Sequence, residues 1–90
     1  MIQYEIEITG RVQGVGFRYF VYNKAIEFGL LGYVKNTVEG NVLVVVQGDE
    51  SVVNTFIDFL YIGPQLARVD RISKYKMNSL SDFHNFSVKY

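Results

Sequence analysis

A change of period constrains what the N-terminal third of the chain can become. From Ile2 to Thr9, Tyr4, Ile6 and Ile8 alternate with Glu5, Glu7 and Thr9, the two-residue repeat of a strand buried on one face. From Phe17 the spacing lengthens. Phe17, Val21, Ala25 and Phe28 recur at helical intervals, with Phe20 beside them and Gly29 placed to cap the helix end. Between the two patterns lies a connection, Gly10 to Gly16, that carries glycines at 10, 14 and 16. A strand that feeds a helix in this way needs further strands to pair with and a sheet for the helix to cover, so the rest of the chain must supply both.

It does so in order. Gly32 to Thr37 and Asn41 to Gln47 are rich in Tyr and Val, and Val38-Glu39-Gly40 between them suits a hairpin turn. Asp49 is placed as the N-cap of a second helix that carries Val52, Phe56, Phe59 and Leu60 inward and stops at Gly63-Pro64. Val69 to Met77 reads as a strand without strict alternation, and Phe86, Val88 and Tyr90 alternate with Ser87 and Lys89 in a closing one. The order β-α-β-β-α-β, with an extra short C-terminal strand, predicts an α+β split β-α-β sandwich: an antiparallel sheet with both helices on one face. A helix crossover returns the second strand in the direction of the first. The Gly10 to Arg18 loop and the residues around Asn36 are therefore expected to meet at one edge of the sheet.

A chain of 90 residues that is 49% hydrophobic fits one domain, residues 1–90, with one core. Nine Lys plus Arg balance nine Asp plus Glu, so no overall field gathers nucleic acid or an anionic membrane. Cysteine is absent, which removes disulfides, thiolate nucleophiles and cysteine metal sites. Met1 runs directly into a strand pattern with no export signal, and no apolar run nears the roughly 18 residues of a membrane helix. The expectation is a soluble, cytoplasmic protein.

Glycines at 14 and 16 permit left-handed backbone and let main-chain N–H groups approach a ligand without a Cβ in the way. Several such groups can converge on an anion, the positive end of the following helix faces the same point, and Arg18 adds a planar cationic fork. Phosphate suits this arrangement. A plain glycine-rich connection with Arg18 on the surface would account for the loop equally well. Nucleotide motifs do not: there is no Gly-Lys-Ser/Thr ending, and Tyr19 stands where a dinucleotide fingerprint starting at Gly14 needs glycine. A covalent phosphatase loop ending at Arg18 would place its cysteine at Val12, and with His84 the only histidine and the carboxylates scattered, no metal cluster is evident. A site that can only position and stabilise charge needs a leaving group that departs without a proton, such as the carboxylate of an acyl phosphate.

At these residues the chain resembles a known family. "GRVQGVGFR" (Gly10 to Arg18) and "GYVKNTVEGNV" (Gly32 to Val42) are similar to the two signatures of the acylphosphatases, and "QGDE", "GPQLARVD" and "FSVKY" sit where that family has similar segments. The resemblance covers nearly the whole chain. It implies a ferredoxin-like fold, a small monomer, and hydrolysis of acyl phosphates to carboxylate and inorganic phosphate with no cofactor and no metal, phosphate being product and inhibitor. Carried over by position, it makes Arg18 the phosphate-binding arginine and Asn36 the residue that orients water. The phosphoryl group would lie among the backbone N–H groups of Gln13, Gly14, Val15, Gly16, Phe17 and Arg18.

Tyr19, Phe20 and Tyr22 fit one helix turn near the core, His84 a partly covered position at a strand end, and Arg11 and Lys35 the flanks of the pocket. Arg68, Arg71, Lys74 and Lys76 form a basic run on a strand edge, where charge discourages edge-to-edge pairing. An RNA-recognition module shares the element order, but its aromatic signature belongs on the third strand and its charge is basic. A ligand-sensing domain on the same fold would not need both Arg18 and Asn36. The accessory domain of larger carbamoyl-transfer proteins is disfavoured by a chain of this length.

Overall fold

The computed structural model describes residues 1–90. Its elements are β1 (Ile2–Arg11), α1 (Phe17–Glu27), β2 (Leu31–Asn36), β3 (Val42–Gly48), α2 (Glu50–Ile62), β4 (Arg68–Lys76) and β5 (Phe86–Lys89). The strands form one sheet in the order β4-β1-β3-β2-β5. The first four strands pair antiparallel, as expected, whereas β5 joins β2 in parallel, so the sheet is mixed. That direction matters for the site, because β1, β2 and β5 all end at the same edge.

Register explains the core. Ile6 lies opposite Val44, Val44 opposite Val34, and Val34 opposite Val88, so these side chains share one face of the sheet. Tyr4, Ile8, Val42, Val46 and Phe86 extend that face, and both helices cover it: α1 over β2 and β5, α2 over β3 and β4. Phe17, Val21 and Ala25 are the buried residues of α1. In α2 they are Val53, Phe56, Ile57 and Leu60; the expected Val52 and Phe59 are only half-buried. Phe59 instead lies at the seam between the helices, its ring 5.7 Å from that of Phe28.

Strand β1 runs past Thr9, where the sequence places a loop. Its register against β4 shifts between Thr9 and Gly10, a bulge that Gly10 accommodates at φ 131° beside the Arg68 carbonyl. Gly10 therefore serves the sheet and not the loop. The helix-free face is crossed by the chain between β4 and β5, held down by the buried cross-strand pair Gln3 and Gln47. The backbone N–H of Ser81 donates to Gln3 Oε1 at 2.7 Å, and Gln47 Nε2 donates to Gln3 Oε1 at 2.9 Å and to the Ser81 carbonyl at 2.8 Å.

Candidate active site

The loop that follows β1 lies against the hairpin that follows β2. Gln13 fixes the contact, donating from Nε2 to the carbonyls of Thr37 and Asn41 at 2.8 Å each. Asn41 in turn donates from Nδ2 to Glu7 Oε2 at 2.9 Å, tying the hairpin to β1. Gly14 and Gly16 adopt left-handed backbone, φ 72° and 80°, with open space where a Cβ would stand. Gly16 is also the N-cap of α1, and no side chain caps that end. The N–H groups of Gln13, Gly14, Val15 and Gly16 donate to no backbone or side-chain acceptor in the protein, so the loop carries free donors next to the positive end of a helix.

Gly14 and Gly16 open onto a cavity of about 180 Å³ that Phe17, Arg18 and Asn36 also line. Arg18, in the first turn of α1, is half-buried and has no carboxylate partner. Its Nη1 donates to the Lys89 carbonyl at 3.3 Å, and the guanidinium lies 4.6 Å from the centre of the Tyr90 ring. Asn36, the last residue of β2, pairs with Val42 and so projects from the helix-covered face. Its side-chain amide reaches no partner within the protein. The cavity thus holds a permanent cation, free N–H donors and an amide that can donate and accept, an arrangement that can hold an anion and position a small polar molecule beside it.

Not every expected residue lines the cavity. Gln13 and Val15, expected to offer backbone N–H groups, keep those groups free of protein acceptors, but the Gln13 side chain turns to the hairpin and Val15 packs against the core. Arg11 and Lys35 do not line the cavity either. His84 is exposed before β5, its Nε2 3.7 Å from Asp82. The basic run does lie on an edge strand, β4, where Arg68 and Asp70 pair at 3.0 Å. No three His, Cys, Asp or Glu side chains come together as a metal-binding group. No helix is long and apolar enough to cross a membrane.

Sequence reasoning missed four lining residues, Val12, Tyr19, Val88 and Tyr90. Tyr19 adjoins Arg18, which was a usable signal. Val88 and Tyr90 were hidden because alternation shows that β5 is a strand and leaves its direction open; only the parallel pairing with β2 brings its end to this edge.

The family model described as acylphosphatase matches residues 4–88. An acylphosphatase of Mannheimia succiniciproducens is 42% identical over 90 residues, the match spanning 100% of each chain. The crystal structure of the Bacillus subtilis acylphosphatase superposes with a TM-score of 0.97 at 41% identity, covering 100% of both chains. The same architecture forms a small part of a larger protein, T. kodakarensis HypF, with a TM-score of 0.87, 43% identity, and coverage of 100% of this chain and 12% of that one.

Proposed function

This chain belongs to the acylphosphatase family, and from that premise we propose that residues 1–90 act as one catalytic domain, monomeric and cytoplasmic, that hydrolyses acyl phosphates without a metal or cofactor. What supports this most is that Arg18, Asn36, Gly14 and Gly16 line one cavity, the two glycines in a loop whose N–H groups have no acceptor within the protein. The loop and Arg18 hold the phosphoryl oxygens by charge-assisted hydrogen bonds. Asn36 accepts from a water and donates to a phosphoryl oxygen, adding no negative charge beside the anion. Water oxygen attacks phosphorus in line, the bond from phosphorus to the acyl oxygen breaks with its electron pair, and carboxylate leaves. The proton lost by the water passes to a phosphate oxygen, giving inorganic phosphate. No protein acid is needed, because a carboxylate is stable at neutral pH.

The test uses benzoyl phosphate and p-nitrophenyl phosphate, each with and without a chelator. Chelator-resistant hydrolysis of benzoyl phosphate alone, with competitive inhibition by inorganic phosphate, is the expected result. Loss of activity in chelator would refute the metal-free route, and inertness towards every acyl phosphate would refute the reading itself.

A further inference from the structure

Tyr19 does not belong to the core, although its neighbours in the helix do. Phe20 meets Phe17 edge-on with ring centres 6.0 Å apart, and Tyr22 packs against Phe86 at 6.5 Å. Tyr19 is 68% exposed and lines the cavity beside Arg18. Its ring is not left to move freely: it stacks on Tyr22 at 6.4 Å with 21° between the planes. An aromatic series therefore runs from the core, Phe86 to Tyr22 to Tyr19, and delivers an apolar ring to the rim of an anion site. The other rim tyrosine, Tyr90, already has the Arg18 guanidinium over its ring. Phe17, which also lines the cavity, is buried, so Tyr19 is the exposed aromatic ring there that no cation occupies.

From this geometry we infer that Tyr19 is a specificity-determining residue, a platform on which a flat aromatic acyl group stacks while its phosphoryl end lies in the loop. The inference rests on the phosphoryl site proposed above. The acyl group of a substrate held by Arg18 and the glycine loop must project from the anion cradle towards solvent, and Tyr19 directly follows Arg18 on the same helix turn. A tyrosine held by a neighbouring ring has little side-chain freedom left to lose when a second ring stacks on it. An acetyl group offers no flat surface to such a platform, so Tyr19 should separate aromatic from small acyl phosphates.

The experiment compares benzoyl phosphate with acetyl phosphate on the parent protein, Tyr19→Ala and Tyr19→Phe. Tyr19→Ala is expected to raise KM for benzoyl phosphate about fivefold more than for acetyl phosphate, with kcat on benzoyl phosphate largely retained and the inhibition constant of inorganic phosphate within about twofold of the parent, since phosphate carries no acyl group. Tyr19→Phe should behave as the parent, because the ring face and not the hydroxyl makes the contact. Equal effects on both substrates, or none on either, would overturn the platform while leaving the hydrolytic reading intact. A parent protein inert towards both substrates would overturn that reading and this one together.

Discussion

Arg18 reaches the cavity as a charged fork, resting on the Lys89 carbonyl and the Tyr90 ring, whereas the Asn36 amide has no partner within the protein. On the proposed mechanism the first binds and the second positions water, and kinetics can separate the two roles. Asn36→Ala should leave the affinity for inorganic phosphate within a few-fold but lower kcat on benzoyl phosphate by about 10², the scale of losing one preorganised polar group. Arg18→Lys should lose both, since lysine keeps the charge but not the planar fork, and charged hydrogen bonds contribute roughly 1.5–3 kcal/mol each. Phosphate titration and steady-state kinetics on the two variants check the split; a parallel fall in affinity and kcat for Asn36→Ala would make Asn36 a binding residue. The sequence points to Arg18 through the glycine loop before it and to Asn36 through the resemblance to the second acylphosphatase signature, and both line the cavity. The role of the Gln13 side chain could not be read from sequence, since it depends on two carbonyls at Thr37 and Asn41 that only the folded hairpin brings within reach.

Elements were read well where one physical signal dominates, and α2 shows both the strength and the limit of this. Its start follows from Asp49, whose Oδ2 accepts from the Ser51 N–H at 3.2 Å and from the Ser51 hydroxyl at 2.6 Å. Its inward face differs from the expected one at two positions, Val53 in place of Val52 and Ile57 in place of Phe59, because all four are apolar and spacing alone does not choose among them. The cap carries a pH signature. The bond from the Ser51 hydroxyl, followed by that from the backbone N–H of Val52, holds the Asp49 carboxyl below its ordinary value of 3.8. A carboxyl lowered in the folded state contributes stability that is fully present above its unfolded pKa and disappears as pH falls through the folded one. Asp49→Ala should therefore lower the thermal midpoint at neutral pH, and the gap from the parent should close as pH drops below 3.8. Melting curves across that range test it; a gap independent of pH would mean that the ionised carboxylate is not what caps α2.

At the scale of the whole molecule, the helices cover one face of the sheet and a single segment of chain crosses the other over Gln3 and Gln47. The helix-covered face was apparent in the alternation of Tyr4, Ile6 and Ile8. The other face was not, because the chain that crosses it, Met77 to Asn85, has neither period, and the residues that anchor it are polar. Gln3 is fully buried and Gln47 nearly so, yet every buried polar side-chain atom has a partner. Gln3 is the centre of this network: its Oε1 accepts from Ser81 N–H and Gln47 Nε2, and its Nε2 donates to Ser81 Oγ at 3.0 Å and approaches Met77 Sδ at 3.1 Å. Gln3→Leu keeps much of the volume but removes the Gln3 partner of the Ser81 N–H and one of the two acceptors of Gln47 Nε2. Ser81 is exposed and its N–H can turn to water, whereas the Gln47 amide is buried and keeps one acceptor, so the single variant should lose about 1–3 kcal/mol of stability, the cost of one under-satisfied buried group. Because that segment leads directly into β5, loosening it should also reach the cavity, through the Lys89 carbonyl and Tyr90 that hold Arg18. Chemical denaturation should show the stability loss, and phosphate titration a weaker affinity than the parent, although Gln3 lies at the opposite end of β1 from the Gly14–Gly16 loop. A double substitution with Gln47→Leu should cost less than the two singles added together, since the second removes a group the first has already left with fewer partners. Strict additivity would show that Gln3 and Gln47 stabilise the segment independently and not as one network.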